Sequence, residues 1–152
     1  MATRPKLSKN ERMMQVRFIV IIVAITFVLM SAAVTIYHNE RQKFFLEEYT
    51  ELNNAYSLVL DATSKPSKDT PVIMQNYTYK WSEFYSRFYD EAPYTNDNQW
   101  SSSLYDINTG VWTAAQSVND HNYAAAYVQL VHIGQSWDDL LVKYNISVNK
   151  TN

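Results

Sequence analysis

From residue 38 to residue 144 the apolar residues recur at intervals of three and four. Phe45, Tyr49, Leu52, Tyr56 and Val59 form one series, and Tyr77, Trp81, Phe84 and Phe88 a second. A third runs through Trp100, Leu104, Ile107, Val111, Ala114 and Val118, and a fourth through Tyr123, Tyr127, Leu130, Gly134, Trp137, Leu141 and Tyr144. At about 3.6 residues per turn this spacing keeps each series on one face of a helix. The stretches between the series carry breakers: "TSKPSKDTP" over Thr63–Pro71, "EAPYTN" over Glu91–Asn96, and "VNDHN" over Val118–Asn122. The last reads as a tight turn whose Asn or Asp caps the next helix. Short connections make consecutive helices antiparallel, so the pattern predicts an all-α domain, an up-down antiparallel four-helix bundle. No internal repeat is visible beyond this heptad-like spacing.

A different pattern precedes the bundle. "FIVIIVAITFVLMSAAVTIY", Phe18–Tyr37, is twenty residues without a charge. As a helix it is about 30 Å long, the thickness of the hydrocarbon layer of a bilayer. Ser31-Ala32-Ala33 resembles the cleavage site of a secretory leader. The apolar run nevertheless exceeds the roughly 7–15 residues usual for leaders, and the sequence carries its first residue. An uncleaved transmembrane helix is therefore expected, with Tyr37 at the outer interface and the first bundle helix continuing through "HNERQK". The expected organisation is a basic arm at 1–17, a transmembrane helix at 18–37, the bundle at 38–144 and a polar tail at 145–152.

Charge adds an orientation. Residues 1–17 carry five Lys/Arg and one Glu, a net of +4, whereas residues 38–152 carry eight Lys/Arg and fourteen Asp/Glu, a net of −6. Positive charge is retained on the cytoplasmic side, so a single-pass protein of the cell membrane with an extracytoplasmic bundle is expected. An acidic bundle is a poor nucleic-acid binder. Two glycines and four prolines argue against an all-β domain. The absence of cysteine removes disulfides, thiol nucleophiles and Cys-ligated metals. Asn76, Asn145 and Asn149 each begin an Asn-x-Ser/Thr triplet and are candidate glycosylation sites of an exterior domain. With thirteen Asn and twenty-four Ser/Thr in the chain, chance alone gives about two such triplets.

Candidate chemistry is sparse. "YAAAYVQLVHIGQSWDDLLVKY" places His132, Trp137, Asp138 and Asp139 on one helix. At about 100° per residue, His132, His121 and Asp139 fall roughly 180–200° from Leu130, on the side away from the core. His121 and His132 are about 16 Å apart along the axis and cannot share a metal. A haem held by Met74 and His132 is opposed by the same outward angle. Glu-x-x-His, Cys-x-x-Cys-His and glycine-rich phosphate loops are all absent. Glu47, Glu48 and Glu51 read as a solvated helix face. No catalytic residue, cofactor or metal is expected.

Apolar surface beyond the stripes is the remaining signal. Tyr105 and Trp112 on the third helix lie far from its stripe. On the fourth, Ala124, Val128, Val131, Gln135 and Val142 form a second series about 120–140° from the first. Eleven tyrosines lie outside the membrane segment, and exposed Tyr and Trp favour interfaces. Tyr105, Trp112, Val128 and Val131 are therefore the candidate partner-binding residues.

A short basic arm, one membrane helix and a Cys-free, Asn- and Tyr-rich helical exterior domain together resemble the small accessory subunits found with the archaeal ammonia monooxygenase, a relative of the membrane methane monooxygenases. The resemblance covers the layout of the whole chain and rests on no diagnostic motif. It implies copper sites in larger subunits and no catalytic residue here. The expected function is that of a non-catalytic accessory or structural subunit, docking on other integral membrane subunits through its membrane helix and outer bundle. The alternative is a membrane-anchored ligand-binding or sensory bundle. The charge asymmetry carries the first test: protease added to intact cells or right-side-out vesicles should digest residues 38–152, and protection of that domain would reverse the orientation.

Overall fold

A computed structural model describes residues 9–90 and 98–146. Four α-helices and, among the described residues, no strand make up the chain: α1 (Lys9–Ser64), α2 (Thr70–Phe88), α3 (Asn98–Asn119) and α4 (Tyr123–Lys143). The breaker at Glu91–Asn96, the start of the basic arm, Asn149 and the tail from Ser147 lie outside the described residues. The chain divides into two compact units, Met1–Glu40 and Arg41–Asn152.

In the first unit every side chain from Phe18 to Tyr37 is exposed. An 18-residue window here has a mean hydropathy of 2.8, and the helix is long and apolar enough to cross a membrane. Its hydroxyls are satisfied internally. Thr26 donates to the Ile22 carbonyl, Ser31 to Phe27 and Thr35 to Ser31, each at 2.9 Å. Such back-bonding leaves no hydroxyl needing water, as a hydrocarbon environment requires.

The second unit packs its helical segments on one aromatic core. Phe45 of α1 meets Phe84 and Phe88 of α2 edge-on at 5.4 and 5.1 Å, and Trp100 of α3 at 5.8 Å. Trp137 of α4 meets Tyr49, Trp81 and Phe84 at 5.4, 5.9 and 5.4 Å, each T-shaped. Edge-to-face contacts of this kind add about 0.5–1.5 kcal/mol per pair to the burial of the rings. The indole of Trp100 donates to the Phe88 carbonyl at 2.6 Å, so its burial leaves no unpaired donor.

Loop chemistry closes the elements. Asn122 caps α4 by accepting from the Ala125 N–H at 3.2 Å, as the turn sequence predicts. The preceding turn is made by His121 at φ 58°, with the N–H groups of Asn122 and His121 donating to Ser117 and Val118. α4 ends in the same way on Asn145 at φ 52°, with Ile146 donating to Leu141. These are two Schellman closures, and the residue after the second, Ile146, is buried in the core rather than part of a polar tail. Thr70 is buried at the start of α2, accepting from the Ser67 N–H and donating to the Ala62 carbonyl.

The apolar stripe of α4 is turned relative to the sequence pattern. Tyr127 is 38% exposed, while Ala126, Ile133 and Leu140 are buried. Both glycines of the chain account for this. A methyl group at Gly110 of α3 would lie 3.1 Å from Ile133 Cγ1, so the bare position lets Ile133 of α4 approach α3 closely. On the neighbouring side, a methyl at Gly134 would collide with the Tyr56 hydroxyl and lie 3.2 Å from its Cζ. That hydroxyl donates to the Leu130 carbonyl at 2.9 Å. Gly134→Ala should therefore destabilise by about 1–3 kcal/mol through overpacking, against the ~1 kcal/mol gain expected at an unobstructed helix position. Urea melts should show a smaller loss for the same change in a Tyr56→Phe background; equal losses would mean that Tyr56 does not set the fit.

Candidate functional site

α2 and α3 pack through Trp81, which is fully buried and needs an acceptor for its indole N–H. Asn108 of α3 provides it: Trp81 Nε1 donates to Asn108 Oδ1 at 2.8 Å. The same oxygen accepts from Trp112 Nε1, one turn further along α3, at 3.1 Å. Indoles are donors only, so the amide can face just one way, with Nδ2 directed away from both rings. Asn108 Nδ2 has no partner among the described residues. Trp112 is 51% exposed, yet its ring is held in place by a side chain that the buried core itself orients.

Hollows lie on both sides of Trp112. One, of about 510 Å³, runs along α3 past Asn108, Thr109, Thr113 and Gln116 to Tyr105, which is 58% exposed. The other, of about 380 Å³, lies between Trp112 and α2, against Val72, Gln75 and Thr78. Among the described residues no charged side chain lines either hollow. Tyr85 of α2 and its C-cap Tyr89 meet at 4.8 Å with tilted rings.

Val128 is 52% exposed and Val131 half-buried. Ile133 marks the side of α4 that meets α3, and Gly134 the side that meets α1. By helical angle Val131 and Val128 lie about 60° and 120° beyond Gly134, away from α3. The structure thus sets Tyr105 and Trp112 along one hollow on α3, with the α2/α3 groove on the other side of Trp112, and places Val128 and Val131 on a separate flank of α4. The two pairs lie on different sides of the unit, because α3 meets α4 through the Gly110–Ile133 side.

His121, His132, Asp138 and Asp139 are exposed. The His121 Nδ1 lies 3.2 Å from the Tyr123 hydroxyl, within the turn. Met74 is buried on α2 whereas His132 is exposed on α4. Among the described residues no group of three or more His, Asp or Glu side chains is placed to hold a metal ion. Glu48 and Glu51 pair across to α2, with Arg87 and, at 2.9 Å, with Lys80. The Lys80 hydrogen bond, then its charge, lowers the Glu51 carboxyl below its usual value. Asn76 and Asn145 are exposed, the former within α2 and the latter in the turn after α4. No protein family, curated protein or solved structure matches the chain.

Three tyrosines meet at the core of the second unit. Burial, then the Asp138 carboxylate and Tyr56, pushes the Tyr49 phenol up to about 12. Complete burial pushes Tyr77 up further, and its hydroxyl has no hydrogen-bond partner. Both groups hold their protons more tightly folded than unfolded, where the value is 10.0. Their contribution is fully present below pH 10 and is lost as pH rises toward 12 and beyond. Tyr77→Phe should flatten this alkaline fall and, at neutral pH, match or exceed the wild type by about 1 kcal/mol, because it removes an unsatisfied buried group. Denaturant melts at neutral and alkaline pH check both; a loss at neutral pH would show that the hydroxyl has a partner.

Proposed function

We propose that this chain is a single-pass, non-catalytic accessory subunit of a multi-subunit membrane complex, with residues 1–17 in the cytoplasm and an antiparallel four-helix bundle outside. The observation that carries the reading is the helix through Phe18–Tyr37, wholly unburied and apolar, ahead of a unit with its own closed core. The bundle topology is supported by the order of the contacts. Ascending positions on α1 meet descending ones on α2: Phe45 with Phe88, Glu51 with Lys80, Tyr56 with Tyr77. Trp81 with Asn108 and Phe88 with Trp100 give the same sense to α2 and α3. Gly110 with Ile133 and Trp100 with Tyr144 give it to α3 and α4.

The docking surfaces of this reading are the membrane helix and the aliphatic flank of α4, where Val128 and Val142 are exposed. Confinement to a bilayer raises the effective concentration of other integral membrane subunits, so a modest patch suffices. The layout resembles that of the accessory subunits of the archaeal ammonia monooxygenase, and such a complex is the assembly proposed. A second reading, a membrane-anchored ligand-binding domain, is favoured by the fixed and exposed Trp112 with its two hollows.

Extraction in mild detergent, native gels and mass spectrometry test the subunit reading. The chain should migrate with a stable set of membrane proteins, and Val128→Asp should release it without changing the melting temperature of the second unit. Leu130→Ala, by contrast, removes a core side chain and should lose about 2–5 kcal/mol. Migration of the wild-type chain alone would overturn the reading.

A further inference from the structure

We propose that the surface of α3 along Tyr105, Asn108 and Trp112 is a binding site for a neutral carbohydrate, with a sugar ring stacked on Trp112 and a hydroxyl accepting from the Asn108 amide. The inference rests on the second reading above and supplies its ligand class. Four observations point to it.

The first is pre-organisation. An exposed indole normally gives up rotamer freedom when a ligand covers it, whereas Trp112 is already held by Asn108, which is itself held by the buried Trp81. The second is the donor. With both indoles on Oδ1, the Asn108 Nδ2 is committed to face away from the rings, and Asn108 lines the larger hollow. The third is spacing. Tyr105 and Trp112 are seven residues apart, so they lie on nearly one line along α3, about 10 Å apart. Two linked sugar rings can engage both aromatic faces.

The fourth is the character of the lining, which separates a sugar from the other ligands an aromatic groove can take. The absence of any charged side chain among the described residues of the lining disfavours phosphate, carboxylate or ammonium ligands. A protein hot spot centres on an aromatic residue ringed by contacts that exclude water. Around Trp112 the side chains on α3 are Thr109, Thr113 and Gln116, which need polar partners when covered. A pyranose presents an apolar C–H face to the ring and hydroxyls at its edge, which matches an aromatic platform bordered by hydroxyls and amides.

Trp112 is also the exposed member of the four tryptophans; Trp81, Trp100 and Trp137 are buried. A collisional quencher therefore reads this site within the intact protein. Full-length protein in lipid nanodiscs, free of glycoside detergents, would be titrated with maltotriose, cellotriose and chitotriose, with trigalacturonate as the charged control. Acrylamide quenching and saturation-transfer NMR on the sugar protons give two independent readouts. The expected result is that at least one neutral trisaccharide shields Trp112 and receives saturation on the protons of one ring face. Trp112→Ala should weaken that binding about tenfold or more, with an unchanged melting curve because the residue is exposed. Gln116→Ala should weaken it less. The proposal is overturned if none of the three neutral sugars binds, if trigalacturonate binds as well as they do, or if Trp112→Ala binds normally. Shielding of Trp112 by co-extracted membrane proteins, without any sugar effect, would assign this surface to a protein partner and equally overturn it. Val128→Asp should leave sugar binding intact, so failure of the sugar site and failure of the subunit reading are told apart.

Discussion

Ile133 and Gly134 are adjacent on α4, and each meets another helix at a point where one more carbon atom would be crowded: tightly at Gly110, and in collision with Tyr56 at Gly134. Ile133 enters the space left by Gly110, and Gly134 leaves space for Tyr56. These contacts use both glycines in the chain. Neither glycine is a turn residue; both are interior helix positions where alanine would be the better helix former. The preference for a bare position is therefore steric and comes from tertiary packing. With α4 pinned to α1 on one side and to α3 on the other, Trp137 is delivered against Tyr49, Trp81 and Phe84, and the aromatic core has one arrangement.

That arrangement reaches the surface through a single acceptor. Burying Trp81 requires a partner for its N–H, and the acceptor used is an amide on α3 with capacity for a second donor. Trp112 takes that capacity. The orientation of an exposed ring is thus inherited from a requirement of the interior, and the groove beside it is as well defined as the core. The α4 flank is built otherwise. Val128 and Val142 are exposed, and their side chains offer apolar area but no directional contact.

Much of this could be read from the sequence, because the strongest signals are periodic. The first three stripes mark core residues of α1, α2 and α3, with Tyr56 half-buried among them, and the uncharged segment at Phe18–Tyr37 identifies the apolar helix. The misplacement on α4 follows from the same method. Tyr127 was aligned with Leu130 by spacing, but the helix is rolled toward Ile133 by its fit against Gly110, and periodicity carries no information about which neighbour a helix leans on. Nor does periodicity say that Trp112 and Val128 lie on different sides of the unit. Glu48 and Glu51 were legible only as surface charges; Lys80 and Arg87, seven residues apart on one face of α2, were the available signal for a paired seam. Asn108 gave none, since an asparagine in a helix becomes informative only when two indoles are known to converge on it.

Tyr77, wholly buried, is also the middle residue of the Asn76-Tyr77-Thr78 triplet. An enzyme that must grip all three residues cannot take this triplet from the finished protein without drawing a ring out of the core. A sugar destined for Asn76 has to arrive while the segment is still unfolded, so its attachment competes in time with the docking of α2. The same holds for the triplet at Asn145: Asn145 stands exposed in a turn at the end of the last helix, but its middle residue, Ile146, is buried in the core. Occupancy at either asparagine would then record how long its segment stays undocked, at Asn76 the second helix and at Asn145 the end of the fourth.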